Sequence, residues 1–304
     1  MSRKPIACLI YDFDKTLSPN NMQEYGFLPG LGIAPEDFWA ECRAFSLEHR
    51  MDGILTYMYK MVEKSRGVMP LTREALGRLG ESIAFFPGVE TWFSRINEYG
   101  NSIGLEVQHY IVSSGLQEII MGSRIAHEFN AIFACSYCYG ADGIALWPAT
   151  SVNYTAKTQY LFRINKGILD ITNDVDLNNF TPEDRRPIPF RNMIYVGDGL
   201  TDVPSMKMTR AKGGCSIAVH APNETKITDD MLLQNRADFA IEADYSEGSD
   251  MEKTVMALLR EIKSVDDCAA LHSRHMDVAR KRAALRDQPP APVEESWNGD
   301  ELKA

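Results

Sequence analysis

The sequence predicts an α/β protein, a Rossmann-like parallel sheet carrying an inserted all-helical segment. Three observations lead there. Short apolar runs alternate with helical patterns along most of the chain, as parallel strands and their crossovers do. The strongest runs end directly in Asp-, Ser- or Gly-rich turns. One stretch, residues 18–86, has helical patterning and no strand signal.

The first strand is Ile6–Tyr11, an unbroken apolar run of the kind buried on both faces of a parallel sheet. Residues 18–86 come next as the helical insert, rich in Met and aromatics. Packing within it accounts for Met51, Tyr57, Met58, Tyr59 and Met61. Strands are then expected at Val107–Val112, Ala131–Ser136, Asn192–Val196 and Ser216–Val219. Helices are expected around Gly88–Glu98, Leu116–Glu128, Thr155–Ile168, Pro204–Arg210 and Glu252–Ile262. The α/β core is therefore assigned to residues 1–17 and 87–264 and the insert to 18–86. Residues 265–304 form a polar helix and then a tail, "DQPPAPVEESWNGDELKA", of disordered composition.

The chain has 304 residues, 44% of them hydrophobic, enough for a large core. A net charge of −10 argues against general nucleic-acid binding, which needs a basic surface. The N-terminal apolar run meets Asp12 too early for a signal peptide, and no run is long enough to span a bilayer. A cytoplasmic protein is expected. Six cysteines in a chain of this size do not read as a disulfide framework. Nothing in the sequence speaks to the number of subunits.

The chemistry lies in the turns at the strand ends. The first strand ends in Asp12-Phe13-Asp14-Lys15-Thr16, the second in Ser113-Ser114-Gly115, and a later one in Gly197-Asp198-Gly199-Leu200-Thr201-Asp202. In open α/β sheets the ligand crevice lies outside the carboxyl ends of the strands. Two hydroxyls and four carboxylates are thus expected to converge, with Gly115, Gly197 and Gly199 allowing close backbone approach. Such carboxylates need a cation, and oxygen-only donors favour a hard one such as Mg²⁺. A lysine completes the charge balance. Lys157, opening a helical run, is the first choice over Lys166, which is expected to face solvent.

"DFDKT", "IVSSG", a helix-borne lysine and "VGDGLTD", in that order and each in its structural setting, resemble the haloacid dehalogenase (HAD) superfamily. The insert resembles the cap of the phosphoserine-phosphatase-like branch. The resemblance covers residues 5–264 and implies a HAD-like fold and a phosphatase of small phosphorylated metabolites. It implies Asp12 as nucleophile and Asp14 as general acid and base. It gives Ser113 and Ser114 the phosphoryl oxygens, and Lys157 their charge. It makes Asp12, Asp198 and the Asp14 carbonyl the Mg²⁺ ligands. Asp202 assists at the metal or orients Lys157, with Thr16 and Gly199 in support. Ser113, Ser114 or Asp202 could also cap the helices next in the chain. Phosphoserine phosphatases carry a glutamate soon after the first motif. Here Pro19-Asn20-Asn21 stands there and Glu24 comes late, which speaks against phosphoserine itself.

Two other classes share some of these features. Receiver-like phospho-acceptor modules use acidic strand ends and a lysine, but are much shorter and lack the insert. A silent binding protein would have no need of both Asp12 and Asp14. The ATPase-like frame, with Asp14 as nucleophile, is rejected for want of membrane spans. Cys135 and Cys138 read as buried cysteines, and His272 and His275 as a solvated helix face. Arg43, Arg50 and Arg66 are candidates for a substrate carboxylate.

Overall fold

The computed structural model describes residues 4–286. A seven-stranded sheet runs in the order β4-β3-β2-β1-β5-β6-β7. Its strands are β1 Ile6–Tyr11, β2 Glu106–Leu116, β3 Ala131–Tyr139, β4 Ala145–Thr150, β5 Met193–Gly197, β6 Cys215–His220 and β7 Phe239–Glu242. All neighbours are parallel except β3 and β4. The α/β, Rossmann-like core expected from the sequence is present.

Strand β1 is buried at all six positions and lies between β2 and β5. Its central place explains why its sequence is continuously apolar rather than alternating. Register then decides where the turns fall. Tyr11 pairs with Ile111 on one side and Val196 on the other, so the three motifs fall almost level, although β2 itself runs on to Leu116. Asp12, Ser113 and Asp198 emerge from the same edge, and the strand order reverses there, the usual place for a ligand.

Helix α5, Val89–Ser102, packs Trp92, Phe93 and Ile96 into the core. Trp92 Nε1 donates to the Tyr11 hydroxyl at 2.8 Å, which lies 3.1 Å from Nδ1 of His109; Nε2 of that ring lies 3.1 Å from Asn97 Oδ1. Burial pushes the His109 imidazole down to about 3, so the ring is a neutral member of this buried chain.

Residues 18–86 hold α1 Phe27–Leu31, α2 Pro35–His49, α3 Gly53–Ser65 and α4 Arg73–Gly80, and no strand. Pro35 opens α2, where its missing N–H costs nothing, and Glu36 and Asp37 sit in the first turn, favoured by the helix dipole. The Asp52 carboxylate caps α3 through the N–H groups of Ile54 and Leu55, and Thr72 caps α4. Tyr57, Met58 and Met61 are buried; Tyr59 is 41% exposed and stacks on Phe45.

Helix α6, Gln117–Met121, stops at Gly122, and a 3₁₀ turn at Ala126–Glu128 takes over, where the sequence pattern implied one helix. Gly122 has an ordinary φ of −83°, so its role is steric. A Cβ there would lie 1.8 Å from the Gly77 carbonyl oxygen, and one on Gly80 would lie 2.1 Å from that of Ile119. Backbone meets backbone where α4 of the insert crosses α6. Gly122→Ala is expected to cost about 2–3 kcal/mol by overpacking, read as a lower midpoint in urea with an unchanged slope.

Two strands escape the sequence pattern, the edge strands β4 and β7, one interrupted by Pro148 and the other four residues long. Helix α7 is Lys157–Lys166, and the short α8, Asp174–Asn178, comes after it. Then come α9 Val203–Ala211, α10 Lys226–Leu233 and α11 Asp250–Arg286. The polar helix expected after residue 264 is the continuation of α11, not a separate element.

The chain divides into two compact units, Met1–Lys263 and Ser264–Ala304, with residues 18–86 belonging to the first. In the first unit Met251, Val255 and Leu259 of α11 are fully buried. In the second, His272 and His275 are exposed. The tail expected to be disordered, residues 287–304, lies outside the described residues. Among the described residues no helix is long and apolar enough to cross a membrane.

Candidate active site

The turn after β1 sets Asp12 and Asp14 about Phe13, which is fully buried. The Asp12 N–H still donates to the Val196 carbonyl at 2.9 Å, so this residue is held by the sheet ladder. The chain then turns at Lys15, in the left-handed region at φ 57°, and the N–H groups of Thr16, Leu17 and Ser18 fold back onto the Phe13 carbonyl. A non-glycine residue in that conformation is uncommon and costs about 1 kcal/mol or more.

Lys157, the first residue of α7, is fully buried. Its Nζ donates to Asp12 Oδ2 at 2.6 Å and to Asp202 Oδ1 at 2.7 Å. Asp12 Oδ1 accepts the Phe13 N–H at 2.7 Å, and Asp202 Oδ1 also accepts the Tyr195 hydroxyl at 2.7 Å. Burial alone would lower the lysine; Asp12 and Asp202 outweigh it and hold the ammonium charged.

Oxygens of Asp12, Asp198 and Asp202 lie within 4.8 Å of one another. Among the described residues Asp198 is the least satisfied of the three, with only the Thr16 hydroxyl at 3.5 Å, the long limit of a hydrogen bond. Burial, then Asp202 and Asp12, push its carboxyl up to about 8. Crowded carboxylate oxygens with one poorly partnered member suit a hard cation, so the donor set fits Mg²⁺.

Asp14 stands apart. Its carboxylate accepts the Met22 N–H at 2.8 Å and has no cation partner among the described residues. Burial, then the charge on Asp12, raise it well above the usual carboxylate range. At the end of β2, Ser113 Oγ accepts the Gly115 N–H at 3.1 Å, and the Ser114 hydroxyl is buried with no partner among the described residues.

Several expectations need correction. Neither Ser113 nor Ser114 caps a helix, because β2 continues to Leu116, which holds the N-cap position of α6. Asp202 occupies the N-cap position of α9, but its side chain makes no cap bond; the carboxylate is turned to Lys157. Lys166 is half-buried at the surface, where its ammonium ties down the carbonyls of Leu177 and Asn179. Gly115 and Gly197 make room for side chains: a Cβ would lie 2.0 Å from Met22 Cε and 2.5 Å from Asp202 Cγ, respectively. Gly199 alone of the three has open space around it. Cys135 is buried but Cys138 is exposed, as residues three apart on a strand face opposite ways. Arg43, Arg50 and Arg66 are all exposed.

The sequence pattern does not mark Tyr195, Met22 or Tyr57, which support the site through contacts made only in the fold. By its spacing, Glu24 comes late in the sequence pattern. That carboxylate is fixed by Trp39 Nε1 at 2.8 Å and by Asn21, and it lines a cleft of about 300 Å³ with Lys15, Asn20, Phe86, Asp198 and His220. A glutamate does therefore stand at the site, brought there by the turn at Met22–Glu24.

No protein-family model matches the chain. An uncharacterized protein of Borreliella burgdorferi is 28% identical over 282 residues, spanning 84% of this chain and 96% of that protein. A substrate-bound phosphoserine phosphatase superposes with a TM-score of 0.53 at 18% identity, covering 83% of this chain and 98% of its own. A HAD family hydrolase from Salmonella enterica serovar Typhi gives 0.52 at 16% identity, covering 78% and 68%. With strand order, motif placement and these likenesses in agreement, the chain has the fold of the HAD-family hydrolases, phosphoserine phosphatase among them.

Proposed function

We propose that the protein is a Mg²⁺-dependent phosphomonoesterase acting on a small phosphorylated metabolite, with residues 18–86 as the cap over its site. The carrying observation is Lys157, fully buried and shared between Asp12 and Asp202 beside Asp198. A buried cation among three carboxylates is costly to build unless its charge serves a ligand.

Asp12 is the nucleophile. Lys157 bonds its Oδ2, and among the described residues no cation bonds Asp14, which favours this frame over the one with Asp14 attacking. An Asp12 oxygen bonds to phosphorus as the bond from phosphorus to the leaving oxygen breaks. Asp14, whose carboxyl burial and then the charge on Asp12 push upward, gives a proton to the leaving oxygen. It then takes one from the water that cleaves the aspartyl-phosphate, and phosphate departs. Ser113 and Ser114 hold the phosphoryl oxygens, and Lys157 offsets their charge. Asp12, Asp198 and the Asp14 carbonyl, with Asp202 in support, would hold Mg²⁺, which would supply further positive charge to the phosphoryl group. The polar lining and modest volume of the cleft suit a small, hydrophilic leaving group.

Release of phosphate from an aryl phosphate, and from a panel of phosphorylated metabolites, tests the reading. Turnover is expected with Mg²⁺, to fall about 100-fold or more on chelation, and to return when Mg²⁺ is restored. Equal rates with and without chelator would refute the metal, and a stable phosphorylated protein without turnover would instead indicate a phospho-acceptor module.

A further inference from the structure

We propose that Tyr57 is a positioning residue for the phosphate site, so that the helical insert completes that site rather than only covering it. This rests on the phosphomonoesterase reading.

The Tyr57 side chain, 4% exposed on α3, donates its hydroxyl to the Ser114 carbonyl at 2.7 Å. The thiol of Cys135, on β3, donates to the same oxygen at 3.3 Å and itself accepts the Val152 N–H at 3.2 Å. That carbonyl belongs to the peptide joining Ser114 to Gly115. The N–H of the same peptide donates to Ser113 Oγ at 3.1 Å. A peptide is planar, so a bond that fixes its oxygen also fixes the direction of its N–H. With Ser113 Oγ accepting from Gly115, its own hydrogen remains to be donated to a phosphoryl oxygen. Tyr57 thus sets the orientation of a hydroxyl that it does not touch.

A second insert residue holds the same strand end. Met22 Sδ accepts the Leu116 N–H at 3.0 Å, and its methyl group fills the space over Gly115. The Met22 N–H meanwhile holds Asp14. Phosphate hydroxyl and acid are therefore both registered to the insert. An Asp52–Asn153 contact at 3.2 Å and the Tyr137 hydroxyl on the Met58 carbonyl at 2.8 Å seat α3 against the core.

The test is a double-mutant cycle with Tyr57→Phe and Ser113→Ala, read by calorimetric binding of inorganic phosphate in the presence of Mg²⁺ and by kcat and KM on an aryl phosphate. Tyr57→Phe keeps the ring and removes only the donor. It is expected to weaken phosphate binding about tenfold and to raise KM in parallel, with the thermal midpoint close to wild type. In the Ser113→Ala background the same substitution is expected to change neither constant, because its effect passes through Ser113. Unchanged phosphate binding in Tyr57→Phe would overturn the proposal, as would an equal weakening in both backgrounds. If the wild type binds phosphate without turning over esters, the phosphomonoesterase reading falls while the binding cycle still decides on Tyr57. A wild type that binds no phosphate overturns both.

Discussion

Asp12→Asn is expected to lower phosphate release by about 10⁴-fold or more while leaving the protein folded with stability within about 1 kcal/mol of wild type. The loss of activity is a matter of chemistry. An amide oxygen is a poor nucleophile, and without the covalent step the remaining groups only bind and polarise the ester. Near-neutral stability comes from two opposing terms. The Asp12 carboxylate accepts from Phe13 on one oxygen and from Lys157 on the other. Asparagine can match only one of these donors, and the other is left facing an NH₂ group, at a cost of about 1–3 kcal/mol. Against that, one of three crowded carboxylates is removed, and Lys157 keeps its bond to Asp202. Burial together with Asp202 raises the Asp12 carboxyl in spite of Lys157, so removing its charge relieves a real strain. Paired measurements of turnover and urea unfolding check both halves. Residual activity above about a hundredth of wild type would remove Asp12 from the nucleophile's role.

The parts of this site that are legible in the sequence share one property: they are local. Ile6–Tyr11 is apolar because it is central in the sheet, and the carboxylates just beyond it are conspicuous for that reason. The same holds for Ser113, near the end of β2, and Asp198 after β5. Lys157 is legible as the start of a helical run, though its burial is not. The features the sequence hides are either marginal or remote. Strands β4 and β7 lie at the sheet edges, where half-exposed, short or proline-bearing segments lose the apolar signature. Tyr195 is one more apolar position of a buried strand until the fold brings Asp202 to its hydroxyl. Tyr57 belongs by pattern to the packing of α3, which is correct for its ring and silent about its hydroxyl. Glu24 comes late by spacing along the chain, yet a turn and one indole N–H carry it to the cleft. Spacing measures distance along the backbone, whereas these contacts depend on how the insert folds back.

Lys157→Met is expected to match Asp12→Asn in lost activity, falling about 10³-fold or more, but to differ from it in stability by several kcal/mol. Methionine traces the path of the lysine stem, so packing is largely kept and the change is one of charge. In the wild type a single ammonium, fully buried, answers Asp12 and Asp202, and the Tyr195 hydroxyl shares the same Asp202 oxygen. Its removal leaves both carboxylates enclosed without a counter-charge, Asp202 being as deeply buried as the lysine itself. Breaking one side of a buried ion pair costs about 3–5 kcal/mol, because the partner's desolvation is no longer offset. Urea unfolding at neutral pH without added Mg²⁺ should show that loss. Adding Asp202→Asn to Lys157→Met should recover part of it, since one orphaned charge disappears, whereas activity should stay lost. A Lys157→Met protein as stable as wild type would mean that the two aspartates accommodate each other without the ammonium, and the charge balance on which the catalytic assignment rests would be wrong.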